Sequence, residues 1–148
     1  MPNTPLHILL ADDDEGDRFL FLEAFEELKT KTIVRTLNDG VQLMEYLIKE
    51  CTRLPHLLFL DLNMPRKNGL ECLKEIRSHE KLKGISIAIY STSASEKDIE
   101  ETFLNGANVY IQKPSDFNQL KEVLEKAVLA TNQSQEPPFT IANFLLRV

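Results

Sequence analysis

The sequence predicts an α/β fold, a doubly wound parallel sheet with helices on both faces, and three observations lead there. Short apolar runs alternate with segments of helical periodicity, strand before helix, five times in succession. The strand candidates are mostly continuous apolar runs, as strands covered on both faces require, and do not alternate apolar with polar. The chain has 148 residues, which fits one ordinary domain and suffices to bury a core without disulfide staples.

Residues 6–11 read as a short buried strand, and residues 17–28 as a helix with Phe21, Phe25 and Leu28 on one face. Residues 33–37 form a second strand. Asn38, Asp39 and Gly40 make a turn that offers N-cap side chains to a helix running through Leu43, Met44, Leu47 and Ile48. Residues 57–60 are a third strand, ending at Asp61. Residues 68–77 form a helix with Leu70, Leu73 and Ile76 inward. A fourth strand covers 85–90. Ser95 and Asp98 have the spacing of a capping box and open a short helix through Ile99 and Phe103. Residues 109–111 are the fifth strand. A last helix spans about 116–131, with Leu120, Val123, Leu124, Ala127 and Val128 as its apolar stripe.

Composition excludes several classes. The formal net charge of −6 repels a phosphate backbone, so nucleic acid is not an expected partner. Cys51 and Cys72 are too few for a disulfide framework and read as free thiols of a reducing compartment. No signal peptide and no apolar run of membrane-spanning length is visible, so a cytoplasmic location is expected. His7, His56 and His79 lack metal-ligand spacing and receive no role.

In an open parallel sheet, ligands bind outside the carboxyl ends of the strands. Asp12, Asp13 and Asp14 come after the first strand, and Asp61 ends the third. Ser91, Thr92 and Ser93 come after the fourth, and Lys113 and Pro114 after the fifth. Each of these alone is ordinary, as a helix cap, a polar loop or a surface charge. Their joint arrival at one sheet edge is not. Carboxylates brought together there repel unless a cation lies between them, and Mg²⁺ is a hard ion suited to oxygen ligands. An aspartate beside it is a feasible nucleophile toward phosphorus. Lys113 and a hydroxyl can grip phosphoryl oxygens.

The stretches Ile8-Leu9-Leu10-Ala11-Asp12-Asp13, Leu60-Asp61-Leu62-Asn63-Met64-Pro65 with Gly69, Ser91-Thr92, Gly106-Ala107-Asn108-Val109-Tyr110 and Lys113-Pro114 together resemble the receiver domain of two-component response regulators. The likeness covers residues 5 to about 131. Its nearest flavour is the small stand-alone regulators, some serving bacteriophytochrome-type kinases. The resemblance implies a flavodoxin-like (βα)5 three-layer sandwich with strand order 2-1-3-4-5. It implies Asp61 as phosphoacceptor for a histidine kinase or phosphotransfer protein. It places Mg²⁺ on Asp13 directly, on Asp12 through water, on Asp61, and on the Asn63 backbone carbonyl. Lys113 would pair with Asp61 and the phosphoryl group, Ser91 would be the switch hydroxyl, and Tyr110 the aromatic that turns inward with it. Pro114 would come after a cis bond. Asp14 would be a helix cap.

Thr92 stands where the family commonly has a small residue. A larger side chain there is expected to hinder water and lengthen the life of the phosphoryl group. Competing readings are an aspartyl-nucleophile phosphohydrolase, which would want a second carboxylate where Asn63 stands, and a phosphorylation-independent interaction module.

Residues 1–131 are taken as the domain, and 132–148 as a linker with an apolar tail. The stretch after the last helix is too short for a helix-turn-helix module, so output is expected by protein contact. Phe139, Ile141, Phe144, Leu145, Leu146 and Val148 would be sticky in water. They are expected to fold back on the domain, or to dock on a partner or on a second copy as a dimer arm. The face of the fourth helix, fifth strand and last helix is the other candidate dimer surface.

Overall fold

β1 (Leu6–Ala11) lies between β2 (Thr32–Leu37) and β3 (Leu57–Leu60), and β4 (Ser86–Ser91) and β5 (Val109–Gln112) continue the sheet beyond β3. The computed structural model describes residues 4–50, 52–132 and 144–146. The connections are α1 (Glu15–Glu27), α2 (Gly40–Glu45) with a π-helical turn at Tyr46–Glu50, α3 (Gly69–Ser78) and α4 (Glu96–Leu104). α5 (Phe117–Asn132) comes after β5, and Leu145–Leu146 forms β6. All neighbouring strands pair in parallel, in the order β2-β1-β3-β4-β5-β6.

The two faces of each central strand feed two cores, because successive side chains point to opposite sides. On one face Leu9, Leu58, Leu60, Ile87 and Ile89 pack with Leu43 and Leu47, and with Leu73 and Ile76 of α3. On the other, Ile8, Leu10, Phe59 and Tyr90 meet Phe21 and Phe25 of α1 and the predicted stripe of α5. β1, β3 and β4 are thus buried on both sides, as expected. β2 is not. It is the edge strand, and Ile33 on it is exposed.

Three local expectations change. Among the described residues the sheet has six strands, because Leu145 and Leu146 of the tail pair with Tyr110 and Ile111. The second helix is short and opens into the π-helical turn, which widens the backbone and leaves Ile48 exposed while Leu47 stays buried. The cap of α4 is half a capping box. Ser95 accepts from Asp98 N, but the Asp98 carboxylate takes the Ser93 hydroxyl and does not return to Ser95 N. By contrast α3 has the full reciprocal box, between Asn68 and Glu71.

Two of the histidines meet. His56 N donates to His7 O, and His7 N donates to His56 Nδ1, so they tie the entries of β1 and β3 together. Cys72 is buried and unpaired, and burial pushes its thiol up to about 12. Cys51 lies outside the described residues.

Candidate functional site

Strand order reverses at β1, whose neighbours β2 and β3 lie on either side, and the crevice of such a sheet opens at the carboxyl ends there. The pairing continues one residue past the strands. Asp12 N donates to Leu37 O and Asp61 N to Ala11 O, so two carboxylates leave the sheet side by side. Lys113 N donates to Ser91 O at 2.8 Å, which brings the lysine to the same edge from β5.

Each acid is held by its own loop. Asp12 Oδ1 accepts from Asp14 N at 3.0 Å, and Asp14 caps α1 by accepting from Asp17 N, the role expected of it. Asp61 Oδ1 lies 3.3 Å from Asn63 N. Asp12 and Asp61 are buried, and Asp13 is exposed. Ligand oxygens of Asp12, Asp13 and Asp61 all lie within 4.8 Å of one another. Burial pushes the Asp61 carboxyl up to about 7 against the pull of Lys113, and burial raises Asp12 as well. Burial pulls Lys113 down, but the neighbouring Asp17 and Asp12 carboxylates more than offset this, and its ammonium is held above the usual lysine range.

A divalent cation fits this donor set. All the donors are oxygen, two are desolvated carboxylates, and the third is open to water. Asp12 Oδ2 is buried and accepts no well-directed hydrogen bond, although Lys113 Nζ is 2.9 Å away. An oxygen so placed has capacity left for a metal.

Lys113 reaches Asp61 as an ion pair, as expected, and takes a further partner. Asp61 Oδ2 is 3.6 Å from Nζ, within ion-pair range but beyond a hydrogen bond. Its hydrogen bond goes to Asp17 Oδ2, at 2.7 Å. Asp17 was hidden in the sequence because it read as the first residue of a helix. The helix begins two residues earlier, at Glu15, and its first turn reaches over the site. Arg18 also joins, with Nη1 donating to Asp12 O. Beneath the lysine, Nζ lies 5.3 Å from the centre of the Tyr90 ring.

The remaining predicted residues surround the acids. Ser91 is buried, and its hydroxyl oxygen accepts from Ser93 N. Thr92 next to it is exposed. Tyr110 is fully buried, with its hydroxyl donating to Ser93 O at 3.0 Å. Its ring faces Phe144 of the tail, with centroids 6.0 Å apart. Asn63 is exposed. Gly69 begins α3 directly behind Asp61, where a Cβ would stand 2.2 Å from the Asp61 carbonyl oxygen. No described helix is long and apolar enough to cross a membrane.

The sequence model of the response regulator receiver domain matches residues 8–125. Response regulator Rcp1 of Synechocystis is 34% identical over 130 residues, covering 83% of this chain and 86% of that protein. The crystal structure of the phosphorylated cyanobacterial phytochrome response regulator RcpA superposes with a TM-score of 0.80 at 34% identity, covering 88% of this chain and 98% of that one. The Mn²⁺-bound form of Rcp1 gives a TM-score of 0.78 at 27% identity, covering 90% and 100%.

Proposed function

Because the chain belongs to the response regulator receiver family, we propose that it is a cytoplasmic switch that accepts a phosphoryl group on Asp61 from a phosphohistidine of a partner kinase or phosphotransfer protein. One observation carries this reading. A buried carboxylate at the switch point of the sheet has a lysine 3.6 Å away and two further acids within metal-sharing distance.

Asp12, Asp13, Asp61 and the Asn63 carbonyl would hold Mg²⁺. The ion, when bound, supplies charge neutralisation for the entering phosphoryl oxygens. A carboxylate oxygen of Asp61 forms the bond to phosphorus as the phosphorus–nitrogen bond of the donor breaks. The departing imidazole nitrogen keeps the electron pair. Lys113 faces the growing charge with an N–H. The Ser91 hydroxyl then turns to a phosphoryl oxygen, and the loop that carries it moves with Tyr110. The phosphoryl group thereby biases two packings of the α4–β5–α5 face, through which a protein partner reads the state.

The test is mass spectrometry of the chain after treatment with acetyl phosphate and Mg²⁺. One phosphoryl adduct is expected, lost in Asp61→Asn. Absence of the adduct, or its survival in that variant, overturns the reading.

A further inference from the structure

Lys113 has more carboxylate neighbours than the proposed phosphoryl chemistry needs. Its ammonium has three N–H donors. It lies 2.7 Å from Asp17, 2.9 Å from Asp12 and 3.6 Å from Asp61. Asp12 and Asp61 belong to the metal-sharing cluster, and Asp17 does not. The lysine side chain is only 9% exposed, so it cannot exchange these partners freely for water.

A divalent ion and an ammonium compete for the same oxygens. Asp12 Oδ2 cannot serve both fully, and the two cations repel at this range. When the ion claims Asp12, the lysine must give up part of its hold there. A mostly buried ammonium that loses a counter-ion is costly unless another remains. Asp17 is that other. It comes from α1, its backbone is fixed by the Asp14 cap, and its carboxylate is partly open to water, where carrying a charge is cheap.

We propose that Asp17 is a positioning residue that takes the Lys113 ammonium and so leaves Asp12 and Asp61 available to a divalent cation. Without it, Lys113 settles on the cluster acids and competes with the metal. This rests on the reading of the cluster as a divalent-cation site.

The experiment is a double-mutant cycle on the full chain, with Mg²⁺ alone titrated by calorimetry into wild type, Asp17→Asn, Lys113→Met and the double variant. Asp17→Asn is expected to weaken Mg²⁺ binding about fivefold or more, the lower end of ordinary coupling between sites. Lys113→Met is expected to bind more tightly than wild type. In the Lys113→Met background, adding Asp17→Asn is expected to change the affinity by less than about twofold, because the effect runs through the lysine. Asp17→Ser should repeat the Asp17→Asn result, which guards against a folding defect in one variant. Unchanged affinity in Asp17→Asn overturns the proposal. So does equal weakening in both backgrounds, which would make Asp17 a plain long-range charge. If wild type itself binds no Mg²⁺, the metal reading falls with it. If wild type binds and Asp17→Asn binds equally well, only this inference falls.

Discussion

Asp61 and Lys113 carry opposite charges 3.6 Å apart, yet neither satisfies the other. The acid is buried and raised to about 7, while the base gives its hydrogen bond to Asp17. A carboxylate kept short of partners is a poor structural element and a good acceptor, since its charge is neutralised only when further groups enter. Thr92 bears on how long such a group would stay. It is exposed just past the end of β4, beside buried Ser91. Thr92→Ala is expected to shorten the lifetime of phosphorylated Asp61 roughly threefold or more, a barrier change of under about 1 kcal/mol at the threefold end. Decay of the phosphorylated fraction on a phosphate-affinity gel measures this. An unchanged lifetime would mean that Thr92 does not shield the phosphoryl group.

At the scale of elements, the junction of β3 and α3 is a tight fit directly behind the site. Asn68 caps α3 with a reciprocal box, and Gly69 N donates to Leu62 O, which presses the helix start onto the Asp61 backbone. Gly69→Ala would force a methyl group to 2.2 Å from the Asp61 carbonyl oxygen. Overpacking of this kind costs about 1–3 kcal/mol. Urea titration is expected to show that loss, with slower phosphorylation by acetyl phosphate because Asp61 is displaced. Farther from the site, Arg77 ties three elements together. Its Nε donates to Gly106 O at 2.8 Å, Nη1 to Ile85 O at 2.7 Å and Nη2 to Asn108 Oδ1 at 2.9 Å. Gly106 has φ 95°, a left-handed conformation that a side chain would strain. The motif around Gly106 and Asn108 therefore secures the α4–β5 turn just before Tyr110.

At the scale of the molecule, Leu145 and Leu146 close one edge of the sheet. β6 covers β5, and Phe144 is buried against Tyr110 and Phe103, the latter with centroids 5.2 Å apart. The strand that would have been an open edge thus gains a partner. The same contact sits on the α4–β5–α5 face, beside the proposed switch aromatic. Phe144→Ala is expected to lower stability by about 2 kcal/mol, the worth of burying one large apolar side chain; urea titration measures it. Since β6 pairs with its own chain, light scattering of a chain cut after Asn132 is expected to report the mass per particle of a species with the same number of copies. A halved copy number would assign the tail to a dimer arm.

The alternation of apolar periods determined five strands, five helices and their inward faces, Ile48 of the second helix excepted, because buried parallel strands and one-sided helices leave distinct spacings. The strand ends likewise made Asp12, Asp13, Asp61, Ser91 and Lys113 legible, since a parallel sheet gathers its carboxyl ends by topology alone. Tertiary structure decided what depends on approach across the chain. Asp17 meets Lys113 although 96 positions separate them. His7 finds His56, and Leu145 finds Tyr110. Hydrophobic periodicity carries no information about which polar group lies opposite another. A two-residue strand is too short to show any period. Lys113 was placed at the right edge by its position in the sequence. That its ammonium also rests on Asp17, with Asp61 at ion-pair distance, was settled by the first turn of α1 folding over the site.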